Sequence, residues 1–178
     1  MTLSVVVGLG RSGIGAARLL KALGSAVIVL EKAENDACRQ KAADLRQQGI
    51  DVQLGQPLEI SSFEPWLNQI NQVVISPGIA WTHPTLEALR TRGVPVKGEM
   101  ALAWETLKKH PWIGITGTNG KTTVTHLLHH VLNHGGLKAP MAGNVGYSAA
   151  ELALGCLEGS SPLPDWVVME MSSYQIEA

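Results

Sequence analysis

The sequence predicts an α/β protein built from two consecutive parallel-sheet units, on three observations. Short β-branched runs alternate with helical stretches almost from end to end. That is the rhythm of βαβ units, whose strands lie parallel with helices on both faces. A glycine-rich turn, Gly8-Leu-Gly-Arg-Ser-Gly13, follows the first strand and opens the first helix. A second turn, Gly117-Thr-Asn-Gly-Lys-Thr-Thr123, stands in the same relation to a later strand, as a separate start.

The elements follow in order. Leu3 to Val7 is apolar and β-rich, and the stretch from Ile14 reads as a helix. A strand at 26–30, a polar helix at 37–48 and strands at 51–54, 73–76 and 94–97 come next, apolar enough for burial on both sides. Arg92-Gly-Val-Pro-Val-Lys-Gly98 is the best boundary, dividing a Rossmann-like unit over 1–97 from a second unit over 98–178. The second unit reads as a helix at 99–108, a strand at 112–116, the second glycine turn and a long helix. Strands at 138–142 and 165–170 follow, with Ser160-Ser-Pro-Leu-Pro164 as a surface loop between helix and strand. A sheet of about three strands exposes unpaired edges and buries little. The second unit is therefore expected to be incomplete, and the chain a fragment.

Composition narrows the function. The chain has 178 residues, 45% of them hydrophobic, enough for one ordinary domain or two small ones. Its net charge is -1 without a basic run, which argues against a nucleic-acid partner. Cys38 and Cys156 lie far apart and match no metal-ligand spacing, so a reducing compartment is the simplest reading. No basic segment precedes the first apolar stretch, and no apolar run approaches the ~20 residues needed to span a bilayer. A soluble, cytoplasmic protein without a membrane partner is expected.

The first turn matches GxGxxG. Glycines there let a pyrophosphate approach backbone N–H groups at a helix N-terminus, with Ser12 as an extra hydroxyl donor. Glu31 closes the second strand, close to where a Rossmann fold places its ribose-binding acid. The motif suits a nucleotide diphosphate, does not choose between NAD and a UDP-sugar, and would look the same if it merely packed helix on sheet. The second turn is more specific. Its backbone N–H groups would face phosphate oxygens, Lys121 would reach the β- and γ-phosphates of ATP, and the Thr122 hydroxyl would ligate Mg²⁺. The usual P-loop has glycine where Ile115 stands, so this is a shorter G-x-x-G-K-T variant. Two phosphate sites in tandem suggest one domain for a nucleotide-linked substrate and another for ATP.

Other features read as structural. His126, His130 and His134 recur every four residues on the helix after the second turn, and a helix surface explains them better than a metal face. His83 beside Pro84 reads as a turn residue. Trp66, Trp81, Trp104, Trp112 and Trp166 form no stacking pattern and read as core or rim packing.

With both turns placed, further segments carry a resemblance. Ser76-Pro-Gly-Ile-Ala80 followed by His83-Pro84, Gly98-Glu-Met100, the short P-loop, Gly143-Asn-Val-Gly146 and Glu170-Met-Ser-Ser-Tyr-Gln-Ile-Glu177 resemble the Mur ligase family in order and spacing. The resemblance covers essentially the whole chain. Within the family, Asn119, the true GxGxxG and the segment from Ser172 resemble the member that adds D-glutamate.

The resemblance implies an ATP-dependent amide-bond ligase of peptidoglycan precursor synthesis, cytoplasmic and monomeric. It joins D-glutamate to UDP-N-acetylmuramoyl-L-alanine through an acyl phosphate, forming ADP and phosphate. By the same resemblance Gly10, Arg11, Ser12, Gly13, Glu31, Lys32, Ser76, Gly78, Asn144 and Ser172 would bind the UDP-sugar peptide. Gly117, Thr118, Asn119, Gly120, Lys121, Thr122 and Thr123 would hold ATP, and Thr122 and Glu170 would hold Mg²⁺. Lys121, Glu170 and Asn144 would serve the chemistry. Some members carry Asp-Thr where Glu31-Lys32 stands, which leaves the contacts of that pair open. Ser172 would equally cap a following helix, and Gly143 and Gly146 would equally make a tight turn. The family's carbamylated lysine, its histidine and its C-terminal domain lie outside these residues. The chain alone is therefore expected to bind substrate without ligating it.

Overall fold

Five short apolar runs build the first sheet. In the computed structural model, which describes residues 2–177, they are β1 (Leu3–Val7), β2 (Ala26–Leu30), β3 (Asp51–Gln53), β4 (Ile70–Ile75) and β5 (Val96–Gly98). All neighbours pair parallel, in the order β3-β2-β1-β4-β5. The chain moves outward from β1 first to one side and then to the other. That reversal opens a crevice beyond the carboxyl ends of β1 and β4, the place where open α/β sheets bind ligands.

The pleat sends alternate side chains to opposite faces. Val5, Val7, Ile28, Leu30, Val73 and Ile75 face a core completed by Phe63, Leu86, Leu89 and Val94. Val6, Val29 and Val74, fully buried, point the other way. On that side α1 (Arg11–Ala22) buries Ala16, Ala17, Leu19 and Leu20, and α2 (Asp36–Gln47) buries Ala42 and Leu45. A helix α3 (Pro84–Thr91) occupies a stretch whose sequence signalled only a turn at His83. His83 is its N-cap, accepting the Thr85 N–H on Nδ1 at 3.3 Å, and Pro84 takes the first helical position.

The contact pattern divides the chain between Glu99 and Met100. Beyond that division lies a three-stranded parallel sheet in the order β6-β8-β7, of β6 (Trp112–Ile115), β7 (Met141–Gly143) and β8 (Val167–Glu170). Its helices are α4 (Glu99–Leu107), α5 (Lys121–His134), α6 (Ala149–Glu158) and α7 (Ser173–Glu177). One face packs Ile115, Val168 and Ala139 against Leu128 and Leu132 of α5. On the other, Trp112, Gly114 and Met169 line a cavity of about 350 Å³ with Met100 and Trp104 of α4.

The strand expected from 138 begins only at Met141. Lys138 and Ala139 donate their N–H groups to the side chains of Asp165 (2.8 Å) and Asn133 (3.3 Å) instead of a ladder, and Pro140 has none to give. No helix among the described residues is long and apolar enough to cross a membrane.

Two contacts set the local stability. A side chain at Gly13 would put its Cβ 2.0 Å from the Gly8 carbonyl oxygen, so α1 rests directly on the turn after β1. A capping box starts α6, with Ser148 Oγ accepting the Glu151 N–H and Glu151 accepting the Ser148 N–H. Gly13→Ala should cost about 2 kcal/mol or more by forcing strand and helix apart. Ser148→Ala should cost about 1 kcal/mol. Denaturant midpoints of the two variants would check this, and a Gly13→Ala chain as stable as the parent would contradict the contact.

Candidate functional site

The first unit holds a cavity of about 340 Å³ at the carboxyl ends of its central strands. Gly8, Leu9 and Gly10 come from the turn after β1, Leu30, Glu31 and Lys32 from the end of β2, and Ser76, Gly78 and Ile79 from the loop after β4. Gln56 and Leu58 complete the wall. The turn is shaped by contact. Ser76 Oγ stands 2.6 Å from where a Gly8 Cβ would lie and 3.0 Å from that of Gly13, so three residues share space for two side chains fewer. That oxygen is buried, with no hydrogen-bond partner among the described residues. α1 begins at the cavity wall with Gly10 as its N-cap, which directs the positive end of the helix dipole toward the site.

Of the residues singled out from sequence, Gly10, Glu31, Lys32, Ser76 and Gly78 line this cavity. Arg11 and Ser12 lie on the first turn of α1 beyond its walls, and Gly13 packs beneath. Glu31 has an internal task as well. Its Oε2 accepts the Leu9 N–H at 2.7 Å and its Oε1 the Ala33 N–H at 2.8 Å, tying the turns after β1 and β2 together. Lys41 of α2, which nothing in the sequence marked, reaches the Leu9 carbonyl at 3.5 Å and adds a cation beside the turn.

The second unit presents the other loop. β6 delivers the chain to Gly117 (φ 143°) and Gly120 (φ 76°), and Gly120 caps α5 from a left-handed conformation. Lys121 folds back so that Nζ donates to the carbonyls of Gly117 (2.7 Å) and Thr118 (3.3 Å), its charge held over the loop. Thr118, Asn119, Thr122 and Thr123 are exposed around it.

Glu170 ends β8, the middle strand, with Ile115 paired on one side and Gly143 on the other. It is 4% exposed, and Oε2 is buried with no hydrogen-bond partner among the described residues. A buried carboxylate oxygen without a partner is costly. A hard cation bound at that oxygen would relieve that cost, so a carboxylate at this strand end fits Mg²⁺.

The neighbouring loop is fixed by backbone contact. A side chain at Gly143 (φ 97°) would place Cβ 2.2 Å from the Glu170 carbonyl oxygen, and Asn144 donates its N–H to that same oxygen at 3.1 Å. The Asn144 side chain is thereby held exposed beside the end of β8. Ser172 closes a small network at the start of α7: its N–H and hydroxyl both donate to Gln175 Oε1, at 2.8 and 2.9 Å, while Gln175 returns its N–H to the Ser172 carbonyl at 3.1 Å. Gln175, 5% exposed, escaped the sequence reading although its spacing from Ser172 is that of a capping box. His126, His130 and His134 are all exposed, the last two with rings stacked at 6.1 Å. Cys156 is buried, which pushes its thiol pKa up.

Residues 2–98 match the family described as Mur ligase MurD-like, N-terminal domain, and residues 115–178 match the Mur ligase middle domain. A UDP-N-acetylmuramoylalanine--D-glutamate ligase of Parasynechococcus marenigrum is 62% identical over all 178 residues, which span 38% of that protein. One from Prochlorococcus marinus is 64% identical over the same residues, 39% of its length. The chain thus spans about two fifths of the relatives it matches. Among solved structures, a murein peptide ligase from Psychrobacter arcticus shares the fold, with a TM-score of 0.56 at 19% identity, covering 98% of this chain and 38% of that one. With a family match over more than half its length, on the unit that carries the glycine turn and crevice, this chain belongs to the Mur ligase family.

Proposed function

We propose that the chain carries the substrate-binding domain, over 1–97, and the start of the ATP-binding domain, over 98–178, of a ligase that joins D-glutamate to UDP-N-acetylmuramoyl-L-alanine. The observation that carries this reading is the buried Glu170 Oε2, without a hydrogen-bond partner among the described residues, on a strand end paired with Ile115 just before the Gly117–Lys121 loop. The names of the relatives at 62% and 64% identity supply the substrate class.

In this reading the first crevice takes the UDP moiety. Gly10 to Gly13 face the diphosphate, with Arg11 and Ser12 reaching it from the helix start, and Glu31, Lys32, Ser76 and Gly78 enclose the uridine. Backbone N–H groups of residues 117–123 surround the phosphates of ATP. Lys121, released from the Gly117 and Thr118 carbonyls, neutralises charge on the β- and γ-phosphates. Thr122 and Glu170 would hold Mg²⁺, which would supply charge neutralisation at the phosphate oxygens. The γ-phosphoryl group moves to the terminal carboxylate of the UDP-sugar peptide, leaving ADP. The D-glutamate amine then attacks the acyl carbon, loses a proton, and phosphate departs. Such transfer depends on positioning and charge more than on a protein nucleophile. By the family resemblance, Asn144 and Ser172 would contact the substrate. The setting we propose is a cytoplasmic, monomeric enzyme, for which these residues bind substrates without completing the ligation.

Titration calorimetry tests the crevice. UDP-N-acetylmuramoyl-L-alanine should bind saturably, Ser12→Ala should weaken it, and NAD⁺ should not bind. Binding of NAD⁺ without the UDP-sugar would replace this reading with a dinucleotide module.

Thermal melting tests the loop. ATP with Mg²⁺ should raise the melting temperature of the parent, and Lys121→Ala should remove most of that rise. Glu170→Gln keeps the size of the side chain and removes a carboxylate oxygen as a cation ligand. It should gain nothing from Mg²⁺ beyond ATP alone. A Mg²⁺-dependent rise preserved in Glu170→Gln would assign the cation elsewhere.

A further inference from the structure

The loop after β4 carries Ser76, Gly78 and Ile79 into the wall of the first crevice and then runs through Trp81 to α3. It is built from two tight turns, Ile79 N–H to Ser76 O and His83 N–H to Ala80 O, both 3.0 Å. Ile79 and Trp81 pack, partly buried, against the first core, and Arg90, in the last turn of α3, adds two contacts to the loop from outside. Its guanidinium lies over the Trp81 ring, 3.8 Å from the centroid, and Nη2 donates to the Trp81 carbonyl at 3.0 Å. At the other end of the same helix, the buried Thr85 hydroxyl donates to the Leu58 carbonyl at 2.8 Å, and Leu58 belongs to another part of the crevice wall.

We propose that Arg90 is a positioning residue for the UDP-substrate crevice, clamping the loop from Ser76 to His83 through Trp81 so that α3 braces two parts of one wall. This rests on reading the crevice as the UDP-substrate site. The planar guanidinium is suited to the task because it stacks on a ring and reaches a carbonyl in one pose, which an ammonium does not. The clamp is also not chiefly a stabilising device. Arg90 Nε is buried with no hydrogen-bond partner among the described residues, a cost that offsets part of what stacking contributes. Its effect therefore falls on where the loop sits, and so on affinity.

The test uses the 178-residue chain, titrated with UDP-N-acetylmuramoyl-L-alanine and with UDP alone, with melting temperature recorded for every variant. Arg90→Met keeps the apolar stem and removes both contacts, and should weaken binding about tenfold while melting close to the parent. Arg90→Lys should recover part of the loss. Trp81→Leu should weaken binding like Arg90→Met, and the double variant should be no weaker than either single one, since each breaks the same clamp. Parent-like affinity in Arg90→Met and Trp81→Leu would overturn the clamp. So would a loss that merely tracks a lowered melting temperature. If Arg90→Met does not fold, unchanged affinity in Arg90→Lys and Trp81→Leu overturns it equally. Failure of the parent itself to bind either ligand would overturn the crevice reading and the clamp with it.

Discussion

At Gly13 and Gly143, backbone lies against backbone so closely that no side chain fits, and the candidate sites depend on those contacts. Gly13 sits on the Gly8 carbonyl, and Gly143 sits on the Glu170 carbonyl. The first contact lets α1 start immediately at the end of β1, with the positive end of the helix at the crevice. The second lets the loop after β7 close over the end of β8, which leaves Glu170 walled by a strand on each side and almost out of water. Both contacts sit at the carboxyl ends of parallel strands, where the fold collects backbone N–H groups and helix starts at one edge.

The two units use a strand-end carboxylate in opposite ways. Glu31 accepts backbone N–H groups on both oxygens and so stiffens the turn it borders. Glu170 keeps one buried oxygen without a partner among the described residues, which favours a cation there. The first is a strut that also faces a ligand cavity, and the second offers a buried carboxylate oxygen to a hard cation. Lys121 mirrors it, its ammonium resting on loop carbonyls that a phosphate would outcompete.

Packing differs between the units in a related way. The first sheet is covered on both faces, with Val5 and Val6, adjacent in sequence, both fully buried on opposite sides. In the second, α5 covers one face with Leu128 and Leu132 while Val124, Leu127 and Val131 on the same helix stay exposed. The other face of that sheet opens onto the apolar cavity beside Trp104, itself 51% exposed. The five tryptophans accordingly divide: Trp66 and Trp81 pack on the first core, Trp81 also under Arg90, Trp112 lines the second unit's cavity, and Trp104 and Trp166 lie at the surface.

By itself the sequence determined the α/β class, both glycine turns, and most strands to within a residue or two, because β-branched runs and glycine spacing act through local backbone geometry. Leu3–Val7 and Ala26–Leu30 needed no tertiary information to be read as strands. The start of β7 did, because the groups that divert Lys138 and Ala139 from the ladder are Asp165 and Asn133, one distant in sequence and the other on a helix. The helix over Pro84–Thr91 was equally hidden, its two buried leucines finding their partners only in the assembled core. At the sites, sequence named the residues on the turns but not their neighbours. Only the tertiary structure decided that Glu31 ties two turns together, that Glu170 Oε2 is left alone, and that Lys41 and Arg90 reach the crevice region. The physical reason is the same throughout: a turn is written in adjacent residues, whereas burial and the pairing of charges are set by whatever the fold brings next to them.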